Sequence, residues 1–169
     1  MDFGAQIIQV ARGYIGQQEK PGNKGFVDPN LEKKMRAIGW QTGWAWCALF
    51  CKLVYSEAYA GSAQASKILK LFSPMATACF RQAQSQGFKT STVPVPGAVA
   101  VWKHGNGPSG HAGIVVQVLN STKFKSVEGN TNDQGGREGI EVAEKVRTVD
   151  FTVRPGRLNL VGFIHPPEG

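Results

Sequence analysis

The sequence predicts an α+β fold, with N-terminal helices packed on a C-terminal antiparallel β-sheet. Three observations carry this expectation. In the first half, apolar residues recur at helical spacing between glycine and proline stops. After the breaker Val93-Pro94-Val95-Pro96-Gly97 the composition changes to short β-type runs. Glycine-rich loops link those runs, so the second half reads as a meander. The 169 residues suit one domain, 1–169, because domains commonly run to about 100–200 residues.

Each element has its own warrant. Over residues 3–15, Phe3, Ile7, Ile8, Ala11, Tyr14 and Ile15 share one helical side, and Gly16 stops the helix. Residues 22–28 read as a loop. Asp28-Pro29 then offers a cap followed by proline at the first helical position, and Gly39 ends that short helix. Residues 40–46 form a loop rich in tryptophan and glycine. A helix is expected over 47–60, with Gly61 past its end, and another over 75–86, opened by Ser73-Pro74 and closed by Gly87. Strands are expected over 98–102, 113–119, 124–128, 140–149 and 158–164, with glycine-rich loops at 104–110 and 129–139. No internal repeat occurs. The 94–97 stretch is too short for a domain linker and marks the crossing from helices to sheet.

Composition narrows the class. Apolar residues make up 41% of the chain, enough for a globular core. No run approaches the roughly 20 apolar residues of a membrane span. The start, Met1-Asp2-Phe3-Gly4-Ala5-Gln6, lacks the basic and apolar regions of a signal peptide. Synthesis in a cytoplasm is therefore expected, with delivery by some route other than a cleaved signal. Three cysteines cannot all pair, and Cys47 and Cys51 sit one helical turn apart, so reduced thiols are expected. No CxxC or HxxxH spacing occurs; neither a metal nor a cofactor is expected. The net charge of +7 favours polyanions: nucleic acid, anionic lipid or cell-wall polymers. The basic residues are scattered, with only Lys33-Lys34 adjacent, and no aromatic RNA-binding motif appears, so nucleic acid is not expected. A generally basic, soluble surface accounts for the charge equally well.

Three segments carry potential chemistry. Cys47 opens an apolar helix, where unpaired N–H groups lower a thiol's pKa, as a nearby imidazolium does. Cys51 lies one turn deeper between Phe50 and Leu53, and Cys79 has no polar context, so both read as packing residues. His111 stands at a strand entrance between Gly110 and Gly113, small neighbours that leave room for a substrate backbone. His104, in a mobile glycine loop, and His165, before Pro166-Pro167, are its rivals. A catalytic imidazole needs a partner for its second nitrogen. Glu128 and Asn130, two apart on one strand, are both candidates to face the cleft; an ordinary turn is the alternative. The Cys47 N–H is a candidate oxyanion donor, and Gln41, six residues upstream, is a second. Trp40, Trp44 and Trp46 either line a substrate groove or cap the core.

The segments Trp46-Cys47-Ala48-Leu49-Phe50, Val95-Pro96-Gly97-Ala98-Val99-Ala100-Val101-Trp102, Gly110-His111-Ala112-Gly113-Ile114-Val115 and Val127-Glu128-Gly129-Asn130 occur in this order. Together they resemble the CHAP family of cysteine, histidine-dependent amidohydrolases and peptidases, relatives of the NlpC-type wall hydrolases in the papain-like group. The resemblance implies Cys47 as nucleophile, His111 as general base and acid, and Glu128 with Asn130 as orienting groups. It also places an oxyanion glutamine at Gln41. The implied substrates are peptidoglycan amides: the muramoyl–alanine link, stem-peptide bonds or cross-bridges. Two features depart from the pattern. Ala98 stands where relatives often carry an acidic residue after Pro-Gly. Residues 39–46 hold no carboxylate, so the calcium loop of some relatives is not expected.

The resemblance leaves several functions open. A phage lysin released at lysis or through a holin, and an effector injected into rival bacteria, both fit a wall hydrolase without a leader. An effector implies an immunity protein and a delivery partner. A papain-like protease or acyltransferase on a protein or small amide would use the same residues. A non-catalytic wall-binding module would keep the fold alone. A monomer is expected.

Overall fold

In the computed structural model, which describes residues 2–131 and 139–168, the chain begins with a capped helix. The Asp2 carboxylate accepts from the Ala5 N–H at 3.1 Å, satisfying a group that the first turn leaves unpaired. Helix α1 (Phe3–Gly13) buries Phe3, Ile7 and Ala11, a single stripe at four-residue spacing. It stops two residues before the expected end. Helix α2 (Pro29–Ala37) starts as expected, with Asp28 accepting from the Asn30 N–H at 2.8 Å. Between them, β1 (Glu19–Lys20) and β2 (Gly25–Phe26) pair antiparallel, and β2 lies within the loop expected over 22–28. Two-residue strands are too short to show a period.

Helix α3 (Cys47–Ala58) is the centre of the molecule. Nine of its twelve residues are buried, so it is enclosed on all sides. That explains its near-continuous apolar sequence. Helix α4 (Ala65–Leu71) is not evident from sequence; its single turns of burial, Ile68 and Leu71, are too few to set a period. Helix α5 (Ala76–Ser85) lies within the expected 75–86. No helix among the described residues is long and apolar enough to cross a membrane.

The remaining strands are β3 (Thr90–Ser91), β4 (Val99–His104), β5 (Gly110–Asn120), β6 (Lys123–Thr131), β7 (Glu141–Thr148) and β8 (Leu158–Ile164). They form a six-stranded sheet in the order β3-β8-β4-β5-β6-β7, with every pair antiparallel. The α+β class and the packing of N-terminal helices on an antiparallel sheet are as the sequence predicts. Strand β5 starts three residues earlier than expected, so His111 lies within it. His104 is the last residue of β4, opposite Leu158, rather than a member of a mobile loop. Of the glycine-rich loop expected over 129–139, residues 132–138 lie outside the described residues.

Alternation along the strands divides two cores. Val99, Val101, Ala112, Ile114, Val116 and Val127 face the helices. Ala98, Ala100, Trp102, Val115 and Phe124, with Leu160 and Phe163, form a second cluster on the opposite face. A sheet covered on both faces has strands that read as continuous apolar runs, which is how residues 98–102 read.

The Pro-Gly pair before β4 has a packing role. Gly97 has φ +86°, and a Cβ there would lie 2.8 Å from the Gly4 Cα of α1. Its carbonyl also accepts from the buried Tyr55 Oη at 2.7 Å. Gly97→Ala is therefore expected to destabilise the fold by about 2 kcal/mol or more, because both the backbone conformation and the helix approach forbid a side chain. Urea denaturation of the variant measures this.

Candidate active site

The site is built where α3 begins. Trp46, the residue before the helix, makes no side-chain cap hydrogen bond, so no cap side chain covers the N–H groups of the first turn. Trp46 instead turns inward. It is fully buried, donates from Nε1 to the buried Glu19 carboxylate at 2.8 Å, and packs edge-on against Phe26 at 5.0 Å. This anchors the loop entering α3 and fixes where Cys47 stands. Cys47 is 5% exposed, at the edge of the core.

His111 comes from β5. Its Nε2 is 2.7 Å from Oε2 of Glu128 on β6, and its ring interacts with the Cys47 thiol. With Nε2 committed to Glu128, Nδ1 is the nitrogen left for the sulfur. Glu128 is wholly buried and takes two further partners. Ser126 Oγ donates to Oε1 at 2.6 Å, and Arg147 donates to both carboxylate oxygens. The carboxylate is thus saturated, as a buried charge requires.

Two glycines permit the arrangement. A Cβ at Gly113 would lie 2.6 Å from the Glu128 Cγ. A Cβ at Gly129 would lie 2.5 Å from the Trp46 ring and 2.8 Å from the Phe50 Cβ. Gly113 therefore clears space for Glu128, and Gly129 lets β6 pass the start of α3. The room beside His111 is filled by the protein, not left for a substrate backbone as the sequence reading expects. Gly129 lies within a strand, so Glu-Gly-Asn is no ordinary turn. The Thr77 hydroxyl of α5 donates to the Pro108 carbonyl at 2.9 Å, tying down the turn that leads into His111.

The electrostatics separate the three thiols. Burial pushes the Cys47 thiol up, but the His111 hydrogen bond and charge, with the N–H groups of Ala112 and Ala48, outweigh it and leave the thiol below its ordinary value. Burial pushes Cys51 well up, and pushes Cys79 up to about 11. Burial also opposes charge on His111, yet the Glu128 carboxylate and the Cys47 contact raise it to about 10. Burial opposes the charge on Glu128 too; the Arg147 hydrogen bonds and the His111 charge hold it well below the usual carboxylate range. Both shifts move the pair towards a thiolate beside an imidazolium.

The structure brings Cys47, His111 and Glu128 together. Asn130 has φ 53°, and the β6–β7 register slips between Glu128 and Thr131. The bulge breaks the two-residue alternation that would have put Asn130 beside Glu128. No hydrogen bond joins Asn130 to His111 among the described residues. Gln41 is exposed on a turn closed by the Trp44 N–H to the Gln41 carbonyl at 3.1 Å. Trp46 and Trp40 are buried, so neither lines a groove; they take the core-capping role. Trp44 is 38% exposed and remains at the surface. His165 bonds to the Ser91 hydroxyl, far along the sheet on β3. No group of three or more His, Cys, Asp or Glu side chains among the described residues is placed to hold a metal ion.

The sequence reading missed Arg147, Ser126 and Glu19. Ser126 had a signal: it lies two residues before Glu128 on one strand face. Arg147 and Glu19 had none, being 19 residues from Glu128 and 27 from Trp46.

A cysteine at a helix start, held to a histidine and carboxylate from an antiparallel sheet, defines the papain-like class of cysteine hydrolase. The CHAP domain matches residues 38–130, more than half of the chain, and the chain belongs to that family. CHAP domains are generally hydrolases that act on peptidoglycan. No curated protein matches the sequence.

Proposed function

We propose that this chain cleaves an amide bond of bacterial peptidoglycan by two-step acyl transfer through Cys47, His111 and Glu128. The observation that carries the reading is the placement of Cys47 at the start of α3 beside His111, whose ring is bonded to the buried Glu128 carboxylate. The thiolate attacks the amide carbon, and the carbonyl π electrons move to oxygen. The Cys47 N–H at the uncapped helix start is positioned to meet that oxyanion, and Gln41 is a second candidate donor. As the intermediate collapses, the C–N bond breaks and His111 protonates the leaving amine, giving a thioester. Water then attacks the thioester while neutral His111 takes its proton. Expulsion of the Cys47 thiolate leaves a carboxylic acid and restores the imidazolium. Glu128 holds the ring and stabilises its charge throughout.

The net charge of +7 favours adsorption to anionic wall polymers. Action on the wall follows release at phage lysis or injection as an effector, the latter with a delivery partner and an immunity protein. Incubation of purified sacculi with the protein tests the reading. New free amines are expected; no release from sacculi of any wall chemotype counts against it.

A further inference from the structure

The Glu128 carboxylate is shared. Its Oε2 receives both His111 Nε2 at 2.7 Å and Arg147 Nη2 at 2.5 Å, while Arg147 Nε reaches Oε1 at 2.7 Å. Arg147 thus grips the carboxylate with a two-pronged fork from β7, a geometry that fixes the plane of both groups. The guanidinium lies over the Trp102 indole, 5.2 Å from the ring centroid. The same indole stands 5.7 Å from the His111 ring. One aromatic plate therefore backs both the guanidinium and the imidazole.

Around this carboxylate, α3 contributes Cys47 and Cys51, β5 His111, β6 Ser126, and β7 Arg147 and Lys145. Lys145 shares the Arg147 face of its strand and is the register partner of Ser126. With the Cys47 sulfur ionised, the sequence Cys47, His111, Glu128, Arg147 alternates in charge. A Glu128 serving His111 alone would place its whole negative charge on the imidazole proton. Here a second cation takes part of it.

We propose that Arg147 is a positioning residue: by sharing Oε2 of Glu128 with His111 and clamping Oε1, it fixes the carboxylate against the imidazole and tempers its pull on the imidazole proton. This rests on the reading of Cys47 and His111 as the reacting pair. Without Arg147, the undivided charge of Glu128 holds the imidazolium more tightly. The same added negative potential opposes formation of the thiolate. Both changes move titration to higher pH.

The test is the pH dependence of Cys47 alkylation by iodoacetamide, read at Cys47 by peptide fragmentation, in wild type, Arg147→Met and Arg147→Lys. Arg147→Met is expected to move both steps of the profile upward by about one pH unit. Arg147→Lys keeps a cation but loses the fork, so its profile stays near that of wild type. Its kcat on sacculi falls about tenfold, because the carboxylate is less well held. An Arg147→Met profile that superimposes on wild type, or moves to lower pH, overturns the proposal. So does an Arg147→Lys variant with wild-type kcat, which also decides the matter if the methionine variant does not fold. Alkylation needs no wall substrate. A wild type inert towards sacculi with a shifted Arg147→Met profile refutes the hydrolase reading and leaves this inference standing.

Discussion

Cys47→Ala lowers hydrolysis of peptidoglycan amides to background, a fall expected on the order of 10⁴–10⁶-fold. The side chain is small and at the core edge, so the variant keeps its fold and the loss is chemical. Cys47→Ser is expected to fail almost as badly, because a hydroxyl does not ionise beside the imidazolium as a thiol does. Cys79→Ala is the matching control. Its thiol is buried, raised to about 11, and hydrogen-bonded to Ser73 and Met75 carbonyls, so its loss leaves turnover unchanged. Release of free amines from sacculi, measured for the three variants side by side, checks all three outcomes.

Glu128→Gln is expected to lower kcat/KM by about 10²–10⁴-fold, less than the loss of the nucleophile. The amide preserves the shape but removes the charge that stabilises the imidazolium. The alkaline limb of activity, expected near the His111 value of about 10, then moves down towards the ordinary value of 6.5. Stability changes with a definite sign. Glu128 is lowered in the fold, so its stabilisation is present above about 4.5 and is lost as pH falls. His111 is raised, so its contribution is complete below about 6.5 and is lost as pH rises through about 10. The Gln variant is therefore less stable at neutral pH, and its stability falls less steeply on acidification. Asn130→Gly, which keeps the left-handed backbone, is expected to lower the rate less than tenfold, since the His111 ring donates to Glu128, not to Asn130. pH–rate profiles and urea melts at several pH values separate these effects.

The parts legible in the sequence are those with local signals. The apolar run from Cys47, following a loop rich in tryptophan and glycine, marks a helix start, so the thiol at that start stands out. Gly110 and Gly113 flag His111 as unusually placed, although the reason differs: Gly113 makes way for Glu128, and a Cβ at Gly110 would lie 2.9 Å from the Thr77 methyl. Glu128 and Asn130 are equivalent on a regular strand. Only the bulge separates them, and Asn130, a residue type that tolerates positive φ, was the available hint. Trp46 beside Cys47 reads as groove or core alike, until Glu19 supplies the buried partner for its N–H. Arg147 was hidden because nothing in Lys145-Val146-Arg147 marks which basic residue reaches across the sheet. Strand pairing between β6 and β7 decides that.

The central claim is that Cys47 forms a covalent bond to the acyl half of a wall amide, in concert with His111. Mass spectrometry of enzyme quenched during digestion of defined muropeptides tests it. The expected result is an acyl adduct on the peptide containing Cys47, absent from Cys47→Ala and accumulating in variants slowed at thioester hydrolysis. Muropeptide cleavage that persists in Cys47→Ala, with no adduct on the wild-type sulfur, would contradict it.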